Sequence, residues 1–148
     1  MNFWTILASG FGSGYAPTAP GTFGSLVGLA IGAVLLQYGH LPLLLGIVVF
    51  SVVGVEAIRA TGMAAQDPKW IVVDEIAGQM IPLLLLSHVG FMGMVFSFAL
   101  FRLFDILKPG PVGWADARHD EYGVMGDDLI AGVMAAVAVA LLRLVLPL

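Results

Sequence analysis

Residues Ile71 to Lys108 read IVVDEIAGQMIPLLLLSHVGFMGMVFSFALFRLFDILK. An acidic pair stands near the start, an acid and a lysine close the stretch, and an apolar run from Ile76 to Phe101 lies between them. The placement of that run decides the fold. As one helix it is long enough for a tilted crossing of a bilayer, and it sends Asp74 and Glu75 to the opposite side from Asp105. As two helices over Asp74–Leu86 and Phe91–Leu107, broken by Ser87, His88 and Gly90, it returns both acidic groups to one side. The first arm, at 1.5 Å per residue, is then about 20 Å long, short of a full crossing.

The charges favour the hairpin. Working outward, apolar runs span about Phe23 to Tyr38, Leu43 to Ala60 and Asp127 to Leu146, giving about five helices with the hairpin included. The polar segments 10–22, 61–73 and 108–126 then share one face, which holds or adjoins Arg59, Lys69, Arg102, Lys108 and Arg118. The opposite face receives only the turn Gly39–Pro42, the break at Ser87–Gly90 and the C-terminus, with Arg143 nearby. An excess of Lys and Arg marks cytoplasmic loops, so the charged face is expected to be cytoplasmic. All ten acidic residues lie on or near it.

Composition points the same way. The chain of 148 residues is 59% hydrophobic and 11% charged, with a mean hydropathy of +1.00. Soluble domains carry about 25% charged residues, and one of this size leaves too much surface exposed to hide so much apolar area. The expectation is an all-α integral membrane bundle forming a single domain over residues 1–148. A net charge of −4 argues against nucleic acid as a partner. The absence of cysteine excludes disulfides, thiolate metal sites and a cysteine nucleophile. The N-terminal MNFWTILASGFGSGYAP has no basic n-region, so no cleaved signal peptide is expected. Residues 2–9 suit a short interfacial helix with Phe3 and Trp4 at headgroup depth.

The acids are grouped in an unusual way. Asp74 and Glu75 are adjacent at one helix start, Asp127 and Asp128 are adjacent near another, and Asp105 lies near a helix end. Capping accounts for one acid at each helix N-terminus. It accounts neither for adjacent pairs nor for Asp105, which the helix dipole disfavours. Carboxylates crowded in a low-dielectric region repel unless a cation joins them. A donor set made only of oxygen suits a hard cation, Mg2+ above all. Lys108 lies three residues after Asp105 and Arg102 three before it, so the three share a helix side. Lys108 reads either as a local ion-pair partner or as a phosphate-binding lysine beside a metal-ligating acid, and Arg102 extends the same cationic frame. Pro109 ends the helix and fixes the lysine.

The segment GSGYAPTAPGTFGS offers backbone N–H groups, that of Gly21 among them, and the hydroxyls of Ser13, Thr18, Thr22 and Ser25. It feeds a helix N-terminus, which suits an anion, although a flexible surface linker has the same composition. His119 could shuttle a proton or simply be solvated, His88 falls on the far face, and Glu56 with Arg59 reads as a structural pair.

APGTFGSL (19–26), VVDEIAGQ (72–79), FRLFDILKPGP (101–111) and GVMGDDLIAG (123–132), in this order, resemble the phosphatidylglycerophosphatase A family over residues 10–133. The resemblance implies a bacterial inner-membrane enzyme that hydrolyses phosphatidylglycerophosphate to phosphatidylglycerol with Mg2+. Here the bottom-up reading meets it: Asp74, Glu75, Asp105, Asp127 and Asp128 form the pool of metal ligands and base. Lys108, Arg102, Thr18, Gly21, Thr22 and Ser25 hold phosphate oxygens. One departure lies at Asp120, Glu121 and Tyr122, where the family usually has Gly after the preceding His. Two alternatives stand beside this reading. CDP-alcohol phosphotransferases also use membrane-edge aspartates, but their glycine-arginine pattern is absent. A small cation channel would string its acids along a path through the bilayer.

Overall fold

The run Ile76–Phe101 does turn back on itself. In the computed structural model, which describes residues 1–148, helix α4 (Val73–Met80) gives way to a 3-10 segment over Ile81–Leu85, the chain becomes extended at Leu86, and α5 (Phe91–Leu107) returns. Pro82 lies at the changeover. It has no N–H to donate and its ring crowds the preceding turn, so the α-helix cannot continue unaltered. Side chains from elsewhere satisfy the turn. His40 Nε2 donates to Leu86 O at 2.9 Å, Arg143 donates to Leu85 O, and Ser87 Oγ donates to Leu148 O at 2.6 Å. The far end of the hairpin is thereby tied to the bundle.

Around it stand α1 (Phe3–Ala8), α2 (Pro20–Gln37), α3 (His40–Thr61), α6 (Pro111–Asp116) and α7 (Glu121–Leu142), so there are seven α-helices and no strands. Seven helices replace the expected five or so, α7 ends at Leu142 rather than near Leu146, and four further details differ from the sequence expectation. Helix α2 begins at Pro20, not Phe23, because Pro at the first helical position costs no hydrogen bond and presets φ. The second half of the segment read as an anion loop is therefore a helix start, preceded by a 3-10 turn at Ser13–Tyr15. Helix α3 already starts at His40, which narrows the turn expected over 39–42. The polar segment 108–126 contains the unforeseen α6, again with Pro at its start. Helix α7 begins at Glu121 rather than near Asp127, capped by Asp120, whose carboxylate accepts from Gly123 N at 2.8 Å.

Helices α2, α3 and α7 are long and apolar enough to cross a membrane by length and composition. Their outer faces are apolar, with Val34, Val48, Val52, Val133 and Leu141 exposed. The interior, by contrast, holds Asp74, Gln79, Asp127 and Asp128. The apolar exterior fits lipid as the solvent.

Within the bundle α4 is central, packed against α2, α3 and α7. Lipid provides no hydrophobic drive between helices, so close approach at small residues has to supply the packing. A Cβ at Gly28 would lie 2.6 Å from Ile76 O, and one at Gly24 would lie 2.7 Å from Val72 Cβ. On the other side, a Cβ at Gly78 would lie 2.4 Å from Asp128 O, and one at Gly132 the same distance from Gly78 O. The last two contacts press α4 against the stretch of α7 that carries Asp127 and Asp128. Gly28→Ala should lower stability by about 1–3 kcal/mol, because backbone must move to admit the methyl. A depressed melting temperature of the detergent-solubilised protein, with Ala30→Leu on the outer face of α2 unchanged, is the expected result.

Candidate active site

One end of the bundle carries a cleft of about 240 Å³. Pro20 and Gly21 come from the start of α2, Asp67, Pro68, Lys69 and Ile71 from the loop before α4, and Asp74 and Glu75 from the first turn of α4. Helix α5 adds Arg102, Asp105 and Ile106, Lys108 follows as its C-cap, and α7 adds Asp127 and Asp128. The hairpin is what unites them, since it brings the end of α5 back to the start of α4.

At the base of the cleft, carboxylate oxygens of Asp74, Glu75 and Asp128 lie within 4.8 Å of one another. Asp74 and Asp128 are buried, and Glu75 is half-buried. Asp74 Oδ1, Glu75 Oε2 and Asp128 Oδ1 have no hydrogen-bond partner. Capping does not explain them. Asp74 sits in the first turn of α4 but makes no side-chain cap bond. Asp127 and Asp128 lie well inside α7, whose cap is Asp120. Three crowded, buried, unpartnered carboxylate oxygens repel one another unless a cation lies among them, and hard oxygen donors suit a divalent ion such as Mg2+. The residues therefore fit a metal site.

The other two acids hold cations. Asp105 pairs with Arg102, whose guanidinium also reaches Ser25 Oγ at 3.4 Å. Asp127 Oδ2 lies 2.8 Å from Lys108 Nζ, and Asp116 Oδ1 lies 2.9 Å from it on another side. The Lys108 hydrogen bond holds the Asp116 carboxyl below its ordinary pKa. Lys108 gains this direction from a left-handed backbone, φ 48°, just before Pro109. A non-glycine residue pays for that conformation, which here turns the side chain from the end of α5 toward α7. Gly21 makes room at the rim, since a Cβ there would meet Glu75 Oε1 at 2.7 Å and Arg102 Nη1 at 3.3 Å.

Not every expected phosphate ligand arrives. Thr18 is exposed, and neither it nor Thr22 lines the cleft. The Ser25 hydroxyl donates to Gly21 O at 2.9 Å within α2. His119 is exposed and outside the lining, and His88 lies in the hairpin turn at the far end. Sequence reading also missed Asp67, Asp116 and Gln79. Gln79 is fully buried one turn beyond Glu75, with both amide atoms unpartnered. Its polarity inside the apolar run was the available signal. For Asp67 and Asp116, placement in polar loops offered none. Glu56 and Arg59 do form a pair, and Arg59 extends it to Glu121 Oε1 and Tyr122 Oη, both at 2.8 Å. The departure at Asp120–Tyr122 thus serves as a cap and a strap between α7 and α3, away from the cleft.

Comparison with known proteins identifies the family. A family model described as phosphatidylglycerophosphatase A matches residues 6–143. The phosphatidylglycerophosphatase A of Haemophilus influenzae is 37% identical over 144 residues, covering 90% of this chain and 85% of that protein. The Escherichia coli K12 protein of the same name is 37% identical over 142 residues, covering 91% and 80%. A Bacteroides thetaiotaomicron protein named "Putative phosphatidylinositol-3-phosphatase" is 36% identical over 149 residues, covering 95% and 94%. No solved structure matches the chain. A family model over most of the chain and two relatives at 37% identity place the chain in the phosphatidylglycerophosphatase A family.

Proposed function

We propose that the protein hydrolyses the terminal phosphomonoester of phosphatidylglycerophosphate, yielding phosphatidylglycerol and phosphate, at the cytoplasmic surface of a bacterial inner membrane and with Mg2+. The observation that carries the reading is the cluster of Asp74, Glu75 and Asp128 beside two held cations, all at one end of an apolar bundle. A lipid phosphate resides at that depth. Asp74, Glu75 and Asp128 would hold the ion. When bound, a divalent cation neutralises phosphoryl oxygens and lowers the pKa of coordinated water. Lys108 and Arg102 bind the non-bridging oxygens, and Asp127 with Asp116, and Asp105, keep those two cations aimed. Gly21 leaves space for the phosphate at the rim. Burial of the cluster strengthens each of these interactions, because little water is present to screen them.

The Bacteroides relative motivates a second substrate of the same chemistry, a phosphomonoester on phosphatidylinositol. Phosphate release from the two lipids by purified protein, measured side by side, separates them. Release from phosphatidylglycerophosphate at least tenfold faster is expected. Release from neither lipid, with phosphatidyl transfer from a CDP-activated lipid instead, favours the phosphotransferase alternative, and ion flux without hydrolysis favours a channel. The orientation has its own test. Single cysteines at Ala65 and Ala117, both exposed, should react with an impermeant thiol reagent from the cytoplasmic side only. Labelling from opposite sides contradicts the shared face.

A further inference from the structure

The chain has six Lys and Arg residues, and five of them are already engaged. Arg59 is held by Glu56 and Glu121, Arg102 by Asp105, Lys108 by Asp116 and Asp127, and Arg118 by Asp120. Arg143 is spent on the Leu85 carbonyl. Lys69 is the sixth. It lines the cleft, is exposed, and has no carboxylate within salt-bridge distance. Asp67, also in the cleft, forms no ion pair with it.

The loop that carries Lys69 is anchored immediately after it, and a local turn spans it. Trp70 stacks on Tyr15 with ring centroids 5.8 Å apart, and the Trp70 carbonyl lies over Gly14, where a Cβ would come within 2.0 Å of it. Val72 N donates to Ala8 O at 2.9 Å, and Ile71 N donates to Pro68 O at 2.9 Å. The N-terminal segment therefore holds this lysine at the rim.

Six carboxylates line the cleft against three cations. Lys108 and Arg102 are each paired with carboxylates, whereas Lys69 is not. Both lipids named under the proposed function carry two phosphates, the phosphomonoester that leaves and a phosphodiester that stays. We infer that Lys69 is a substrate-binding residue that takes the phosphodiester, so that the cleft selects anionic lipids bearing both groups. This rests on the phosphatase reading of the cleft.

The two products divide the question, since inorganic phosphate carries only the leaving group and phosphatidylglycerol only the retained diester. In Lys69→Met, KM for phosphatidylglycerophosphate and the inhibition constant for phosphatidylglycerol should each rise about tenfold, the value of one charge-assisted hydrogen bond. The inhibition constant for inorganic phosphate and kcat should stay within about twofold, below the effect of one such bond. Lys69→Arg should behave as the parent. Unchanged constants in Lys69→Met overturn the proposal. So does a parallel rise for both products, which reports a general loss of positive potential. Failure of the parent protein to release phosphate is a different result, and it removes the phosphatase reading itself.

Discussion

Asp74→Asn and Asp128→Asn should each reduce phosphate release by about 10²–10³-fold, the cost of removing one electrostatic contact made in the transition state. Both variants should still fold. Asn has nearly the shape of Asp, and each acid has a buried oxygen without a partner, so no protein hydrogen bond to it is lost. Removing one of three mutually repelling charges should leave the metal-free melting temperature unchanged or raised. A second readout follows from linkage. A ligand that binds only the folded state stabilises it by about 2.7 kcal/mol at a hundredfold excess over Kd. Added Mg2+ should therefore raise the melting temperature of the parent protein and not that of the variants, and EDTA should abolish turnover in the parent. Near-parental turnover in both variants would mean that the cluster is structural. Glu75→Gln is the companion variant, since Glu75 is the third member and is less buried.

Lys108→Ala should lower turnover by about a hundredfold, the low end for loss of one transition-state contact. Its effect on stability needs separating from its effect on chemistry. Asp127 is 5% exposed, and without Lys108 it becomes a buried charge with no cation. Breaking a buried pair in this way costs about 3–5 kcal/mol, reduced here because the lysine is one-third exposed. The double variant Lys108→Ala/Asp127→Asn removes the stranded charge as well. It should recover most of the melting temperature and little of the turnover. Recovery of both would assign Lys108 to structure alone. Lys108→Arg should not rescue activity, because Asp116 and Asp127 grip Nζ from two directions, and a planar guanidinium is not a point donor.

How much of this was readable in advance differs from one residue to another. The hairpin was legible because Ser87, His88 and Gly90 interrupt an apolar run; the helix change at Pro82 emerged only in the structure. The acid cluster was legible as a pool, since adjacent carboxylates in an uncharged sequence have few other reasons to exist. The position of Asp127 and Asp128 was misjudged by about a turn and a half. The apolar period is weak where α7 starts, and Asp120 is one capping candidate among several acids there. The anion loop was misjudged for a similar reason, because Gly and Pro mark both loops and helix starts.

By itself the sequence indicated an apolar helical bundle with its charges gathered toward one end, and singled out the five acids and Lys108 that line one cleft. These follow from hydropathy and from the cost of charge in lipid, which act on each segment separately. Only the tertiary structure decided which acids face one another and which hold cations. Asp127 and Asp128 are neighbours in the chain, yet one turns to Lys108 and the other to Asp74 and Glu75. That division arises because successive helical residues point about 100° apart and because Gly78 and Gly132 let α4 and α7 touch at backbone distance. Lys69 was likewise an ordinary loop lysine until five other cations were seen to be engaged, which is a property of pairings across the bundle and of no local pattern.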